Sequence, residues 1–140
     1  MVKAHHTGAI VIAQELSARS PRHDGVPLRT YVLQDLDHDG RFEILEYVSA
    51  FENTPGFMNA ELNGAFEWIN VYAHGGEGFT ERTAAFAAFL MQRRARYLFW
   101  IRVLQSSDVL SADSRGLVEA NREDFLAILH DYLRRIEAMQ

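Results

Sequence analysis

A chain of 140 residues with 48% hydrophobic and 24% charged side chains has the make-up of an ordinary folded domain, which excludes disordered, collagen-like and coiled-coil classes. Its formal charge of −5 repels phosphate backbones and anionic lipid, so nucleic acid is not an expected partner. The lack of cysteine removes disulfides, thiolate catalysis and Cys-ligated zinc.

The length fits one domain, residues 1–140, mainly β over 1–83 and helical over 84–140. No export signal is visible in Met1 to Gly8. The longest apolar run, Ala84 to Met91, ends at Arg93, Arg94 and Arg96, short of the ~20 residues that a membrane span needs, so membrane insertion is not expected.

In chain order, Ala9 to Leu16 (AIVIAQEL) carries β-branched residues and predicts a first strand, followed by a loop from Ser17 to Pro27. Leu28 to Gln34 predicts a second strand, because Gly25 and Pro27 leave an incoming helix no room. Phe42 to Phe51 fits either a buried strand or a helix. Thr54-Pro55-Gly56 breaks the chain, and Asn59 to Gly64 reads as loop. Ala65 to Tyr72 sets Phe66, Trp68 and Tyr72 against Ile69 and Val71, as in a strand covered on both faces. The glycines of His74 to Gly78 suit a tight reversal, with Phe79 to Thr83 returning as its partner strand.

From Ala84 the period becomes helical. Phe86, Leu90, Tyr97, Ile101 and Leu104 form one stripe, and Phe125, Ile128, Leu129, Tyr132, Leu133 and Ile136 another. The last helix starts at Asn121 or nearer Ser111. The fold class is therefore α+β: one antiparallel sheet of four to five strands packed against a C-terminal helical hairpin.

The chemistry concentrates between Asp35 and Glu46 (DLDHDGRFEILE). Carboxylates stand at the first, third, fifth, ninth and twelfth positions and glycine at the sixth. Calcium takes six to eight oxygens at about 2.3–2.6 Å, and a short loop supplies them when alternate side chains point inward. Gly40 permits the sharp turn that lets the Arg41 carbonyl face an ion. Two carboxylates ~5 Å apart repel by roughly 3 kcal/mol at an effective dielectric of 20, so a loop crowding several calls for a cation. Magnesium, which keeps several waters in a strict octahedron, fits so many protein oxygens less well. His38 marks a position of positive φ and not a ligand. The alternative is a solvated Asp/Gly turn that needs no ion.

YVLQDLDHDGRFEIL resembles the strand-loop-strand calcium motif of FG-GAP/VCBS-like repeats, and INVYAHGGEGFTERT resembles their closing hairpin. That resemblance implies Asp35, Asp37, Asp39, the Arg41 carbonyl and Glu43 as ligands. It covers about Leu28 to Thr83 and occurs once, so the adhesive role of repeated propellers does not carry over. The same loop also resembles an EF-hand, which implies Glu46 as a bidentate ligand and Tyr47, Ala50 and Phe51 on an outgoing helix. Against the latter stand Phe42 at a position usually aliphatic, the cramped incoming segment and the lack of a second acidic loop.

His5, His6, His23, His74 and His130 lack metal-ligand spacing, and Glu46, Glu61 and Glu67 suggest no defined acid/base pair. Arg93, Arg94 and Arg96 beside Tyr97, Phe99 and Trp100 read as a helix with a wet basic face and aromatics in the core. The expectation is a small, non-enzymatic calcium-binding domain with a protein-interaction or inhibitory role, or else an EF-hand-type regulator. Millimolar calcium outside the cytoplasm favours a secreted or periplasmic setting.

Overall fold

In the computed structural model the described residues are 2–54, 59, 61–76 and 78–140, with side chains from residue 8 onward. Pro55 and Gly56 of the expected break, Ala60, Glu77 of the expected reversal and the His5 and His6 side chains lie outside them. The architecture is α+β, with a four-stranded antiparallel sheet, a two-stranded ribbon and a C-terminal helical pair.

Helix α1 (Val2–Arg19) opens the chain, and a short ribbon, β1 (Arg22–His23) and β2 (Val26–Pro27), follows. The main sheet runs β3 (Thr30–Gln34), β4 (Glu43–Ser49), β5 (Glu67–Gly75) and β6 (Gly78–Glu81), neighbours in space being neighbours in sequence. Helices α2 (Ala87–Ser106) and α3 (Ala112–Ala138) complete the chain. Two compact units result, Met1–Pro55 with Trp68–Phe86 and Gly56–Glu67 with Ala87–Gln140.

The expected strand over Ala9 to Leu16 is instead the body of α1. Its less exposed positions, Ala9, Ile12, Ala13, Leu16 and Ser17, fall on one side of the helix at spacings of three and four, and this stripe lies against β3 and β4. Burying it outweighs the few tenths of a kcal/mol by which each β-branched residue disfavours a helix. The loop expected over Ser17 to Pro27 contains the ribbon, whose turn is Asp24-Gly25 with φ of 52° and 78°. Positive φ at both central residues is the geometry that matches the natural twist of a hairpin.

Phe42 to Phe51, open to either reading in the sequence, resolves as β4, which pairs antiparallel with β3 from Thr30↔Tyr47 to Gln34↔Glu43. Glu43 to Glu46 are all buried, so this strand is covered on both faces. At the far side of the sheet the Thr83 hydroxyl accepts the Val71 N–H at 2.9 Å, while the Arg82 N–H donates to the Val71 carbonyl at 2.8 Å. Thr83 thereby finishes the ladder that β6 leaves at Glu81.

In the second unit Phe66 lies outside the strand expected to contain it. Its ring meets Phe125 at 4.8 Å, and its carbonyl accepts the Tyr132 hydroxyl at 3.2 Å. Tyr97, fully buried, stacks at 4.9 Å on Tyr132 and donates to the Glu67 carbonyl at 2.6 Å. Leu90, Ile101 and Leu104 of the expected first stripe are buried, whereas Phe86 precedes the helix and is only half-buried. Phe125, Leu129, Tyr132 and Ile136 line α3. That helix starts after Ser111, whose side chain accepts the Ser114 N–H, and Asn121 is a kink inside it with φ −133°.

Candidate metal centre

The loop between β3 and β4 owes its shape to two residues with positive φ, His38 at 57° and Gly40 at 86°. Glycine adopts that conformation without a steric penalty and histidine more readily than a β-branched residue would. Between them the chain turns sharply enough for its own carboxylates to collect backbone donors. The Asp35 oxygens accept the N–H groups of Asp39 at 3.2 Å and Gly40 at 2.9 Å. Asp39 accepts the Arg41 N–H at 2.8 Å, and Glu43 accepts the Leu36 N–H at 2.7 Å, tying both ends of the loop together.

These bonds leave Asp35, Asp37, Asp39 and Glu43 facing a common point, with one carboxylate oxygen from each lying within 4.8 Å of all the others. Asp37 and Asp39 are exposed, Asp35 is half-buried and Glu43 is buried. Their acidities diverge accordingly. Burial pushes Glu43 up to about 7, with the charges of Asp37, Asp39 and Asp35 adding to it and the Leu36 N–H opposing. Loss of hydration and then the neighbouring Asp39 carboxylate raise Asp37, whereas the Arg41 N–H holds Asp39 below the usual carboxylate range. Arg41 itself is exposed just beyond the glycine.

Glu46 is not brought to this cluster. Successive side chains on a strand point to opposite faces, so Glu43 and Glu46, three positions apart on β4, project to opposite sides of the sheet. There the Glu46 carboxylate accepts the Tyr31 hydroxyl at 2.6 Å and the Asn70 amide at 2.9 Å, with the Arg29 guanidinium 3.5 Å away. Arg29 also grips Glu52 with two bonds of 3.0 and 3.1 Å, and Asn70 accepts the Trp68 indole N–H at 2.9 Å. Burial and the Glu46 charge raise Tyr31, and the hydrogen bond to Glu52 raises Arg29. Tyr31 is the cross-strand partner of Glu46, a pairing that alternation on β3 and β4 could have exposed once their register was fixed.

The acidic cluster opens onto a groove of about 220 Å³ whose other wall is Ala73, His74, Arg82, Ala85 and Phe86. Strand order accounts for the juxtaposition, since the end of β5 and the residues after β6 reach the side of the sheet where β4 begins. Sequence reading missed this wall because its members are distant in the chain. The remaining candidates separate: Glu61 accepts the Ser111 hydroxyl at 2.9 Å, Glu67 is raised by burial, and His23 sits 3.4 Å from Asp24. Phe99, expected in the core beside Tyr97, is 51% exposed. Compared with known proteins, the chain matches no family model, no curated protein and no solved structure.

Proposed function

We propose that the β3–β4 loop binds one calcium ion through Asp35, Asp37, Asp39 and Glu43, with the Arg41 carbonyl as a further oxygen, and that the chain is a non-enzymatic interaction or inhibitory domain. The observation that carries this reading is the convergence of the four carboxylates within 4.8 Å. Like charges held that close each cost about 3 kcal/mol per pair at an effective dielectric of 20, and a divalent cation converts that repulsion into attraction. Side-chain oxygens in this number, mixed with backbone carbonyl, suit calcium better than magnesium.

Strands on both sides of the loop favour the FG-GAP/VCBS-like ligand set over the EF-hand set. The partners that Glu46 already has, Tyr31 and Asn70, favour a structural role for it. Calcium in this reading pins the hairpin: at a hundredfold excess over its dissociation constant it adds ~2.7 kcal/mol to stability.

Thermal melts with calcium, with magnesium and with chelator test the proposal. Calcium raises the melting temperature by roughly 5–10 °C, magnesium by less, and Asp37→Asn with Asp39→Asn abolishes the rise. Identical melts in calcium and chelator would defeat it.

A further inference from the structure

The four-stranded sheet has two edges, and only one of them is protected. Strand β6 is four residues long, starts at Gly78 with φ 105° and ends on the exposed carboxylate of Glu81. Shortness, a bent start and a charge all keep an edge strand from pairing with a stray neighbour. At the other edge, the five residues of β3 from Thr30 to Gln34 include no charge, glycine or proline, and β4 is the only strand beside them among the described residues. Alternate N–H and C=O groups along the outer margin of β3 therefore meet no strand. Apolar surface gathers at the same margin. Among the described residues of the first unit, the large apolar side chains left exposed are Ile10, Val11, Val26 and Val32, on α1, β2 and β3. Between α1 and β3 lies a groove of about 510 Å³, with Ile10, Ala13 and Gln14 on one wall and Tyr31 and Leu33 on the other. Burial alternates along β3: Tyr31 and Leu33 are half-buried, and Thr30, Val32 and Gln34 are exposed.

Charge and register identify the occupant. Where the chain enters β3, Arg19 and Arg22 are exposed with no carboxylate within 4.0 Å among the described residues. Ser20 Oγ accepts the Arg29 N–H at 3.2 Å, which holds the end of α1 at that point. Arg29 itself is neutralised by Glu52, and Asp24 lies beside His23. Where the chain leaves β3 it is acidic, with Asp35, Asp37 and Asp39. Antiparallel pairing of β3 with β3 of a second copy sets the acidic exit of each beside the basic entry of the other, whereas parallel pairing sets like charge beside like. In such a pair only residues that turn their backbone groups outward exchange hydrogen bonds, so a two-fold axis passes through a residue and not between two. Centred on Val32, the register pairs the whole strand: Val32 with itself, Tyr31 with Leu33 and Thr30 with Gln34. We propose that the chain forms a two-fold dimer in which β3 pairs antiparallel with β3 of a second copy about Val32. Two four-stranded sheets thereby join into one of eight strands, and Tyr31 and Leu33 of each copy come beside the groove of the other. The inference does not rest on the calcium reading.

Sedimentation velocity on the full chain in chelator, from ~1 μM to ~1 mM, tests the proposal by showing monomer give way to dimer. Val32 is 38% exposed, so Val32→Lys and Val32→Glu keep the wild-type circular dichroism spectrum. Each variant places like charges on the axis and raises the dimer dissociation constant by about tenfold or more. An equimolar mixture of V32K and V32E restores the dimer, because opposite charges then meet there. Hydrogen exchange on the unaltered chain reads the same pairing without a substitution: alternate amides of β3 gain protection as concentration rises, and amides at the fraying ends of α2 and α3 keep their rates. A chain that is monomeric at every concentration overturns the proposal and leaves the edge to an extended segment of another protein. Dimers that V32K leaves intact, variants that stay apart when mixed, or growth into open oligomers overturn it equally.

Discussion

Two glutamates three positions apart on one strand do opposite work, and their surroundings explain why. Glu43 shares a point with three aspartates, while Glu46 is held by Tyr31, Asn70 and Arg29 on the other face. Glu43→Gln removes a charged ligand and is expected to weaken calcium binding by about tenfold or more with little change in the metal-free melt. Glu46→Gln takes the ionised acceptor from Tyr31 and Arg29, so it is expected to destabilise by about 1–3 kcal/mol with and without calcium. Titration calorimetry on the two variants, paired with melts, separates the roles; the reverse assignment would transfer the calcium site to Glu46. Acidity gives a second expectation. Burial raises Glu43 from 4.5 to about 7, so the folded chain keeps a proton that the unfolded chain has released. Its contribution to metal-free stability is full below 4.5 and lost as pH rises through 7. Calcium competes with that proton, so the calcium-dependent rise in melting temperature is expected to be small near pH ~5 and larger near pH ~8. An equal rise at both would show that Glu43 does not contact the ion.

At the level of elements, the ends of the helices are set by side chains drawn from other segments. The Arg122 guanidinium donates to the Leu104 carbonyl at 2.9 Å and reaches the Ser107 hydroxyl at 3.4 Å, satisfying the last turn of α2 where Ser107 has φ 54°. Ser111 caps α3 and is itself held by Glu61, which accepts both its N–H and its hydroxyl. Ser111→Ala is expected to cost about 1 kcal/mol and Arg122→Ala roughly 1–2 kcal/mol, read from urea unfolding. A neutral Arg122→Ala would mean that solvent serves the Leu104 carbonyl equally well. The sequence pattern announced Asn121 as the start, with one nearer Ser111 as the alternative, because Ser and Asn both compete with helical backbone for hydrogen bonds. One became the cap and the other the kink, whose amide donates to the Leu117 carbonyl at 2.9 Å. The strand reading of Ala9 to Leu16 failed for the complementary reason: β-branched content was weighted above the spacing of Ala9, Ile12, Ala13 and Leu16, the positions that α1 turns away from solvent.

Across the whole molecule, what could be read in the sequence is what depends on neighbours in the chain. The spacing of Asp35, Asp37, Asp39 and Glu43, the positive φ at His38 and Gly40 and the periodicity of the last two helices are of that kind. The Glu46 network and the wall of the groove from Ala73 to Phe86 depend on which strands adjoin, which no local pattern encodes. The calcium proposal is local in the same sense, and this makes its reach measurable. An ion bound in the β3–β4 loop suppresses those openings that release it, by a factor of 1 + [Ca]/Kd, about a hundredfold at a hundredfold excess. The amides of Leu36, Asp39, Gly40 and Arg41, which donate to the cluster's own carboxylates, and the β3–β4 ladder should therefore gain the most hydrogen-exchange protection. Amides at the fraying ends of α2 and α3 open without disturbing the loop and should keep their rates. The largest calcium effect in α3, with the loop unchanged, would place the ion elsewhere in the chain.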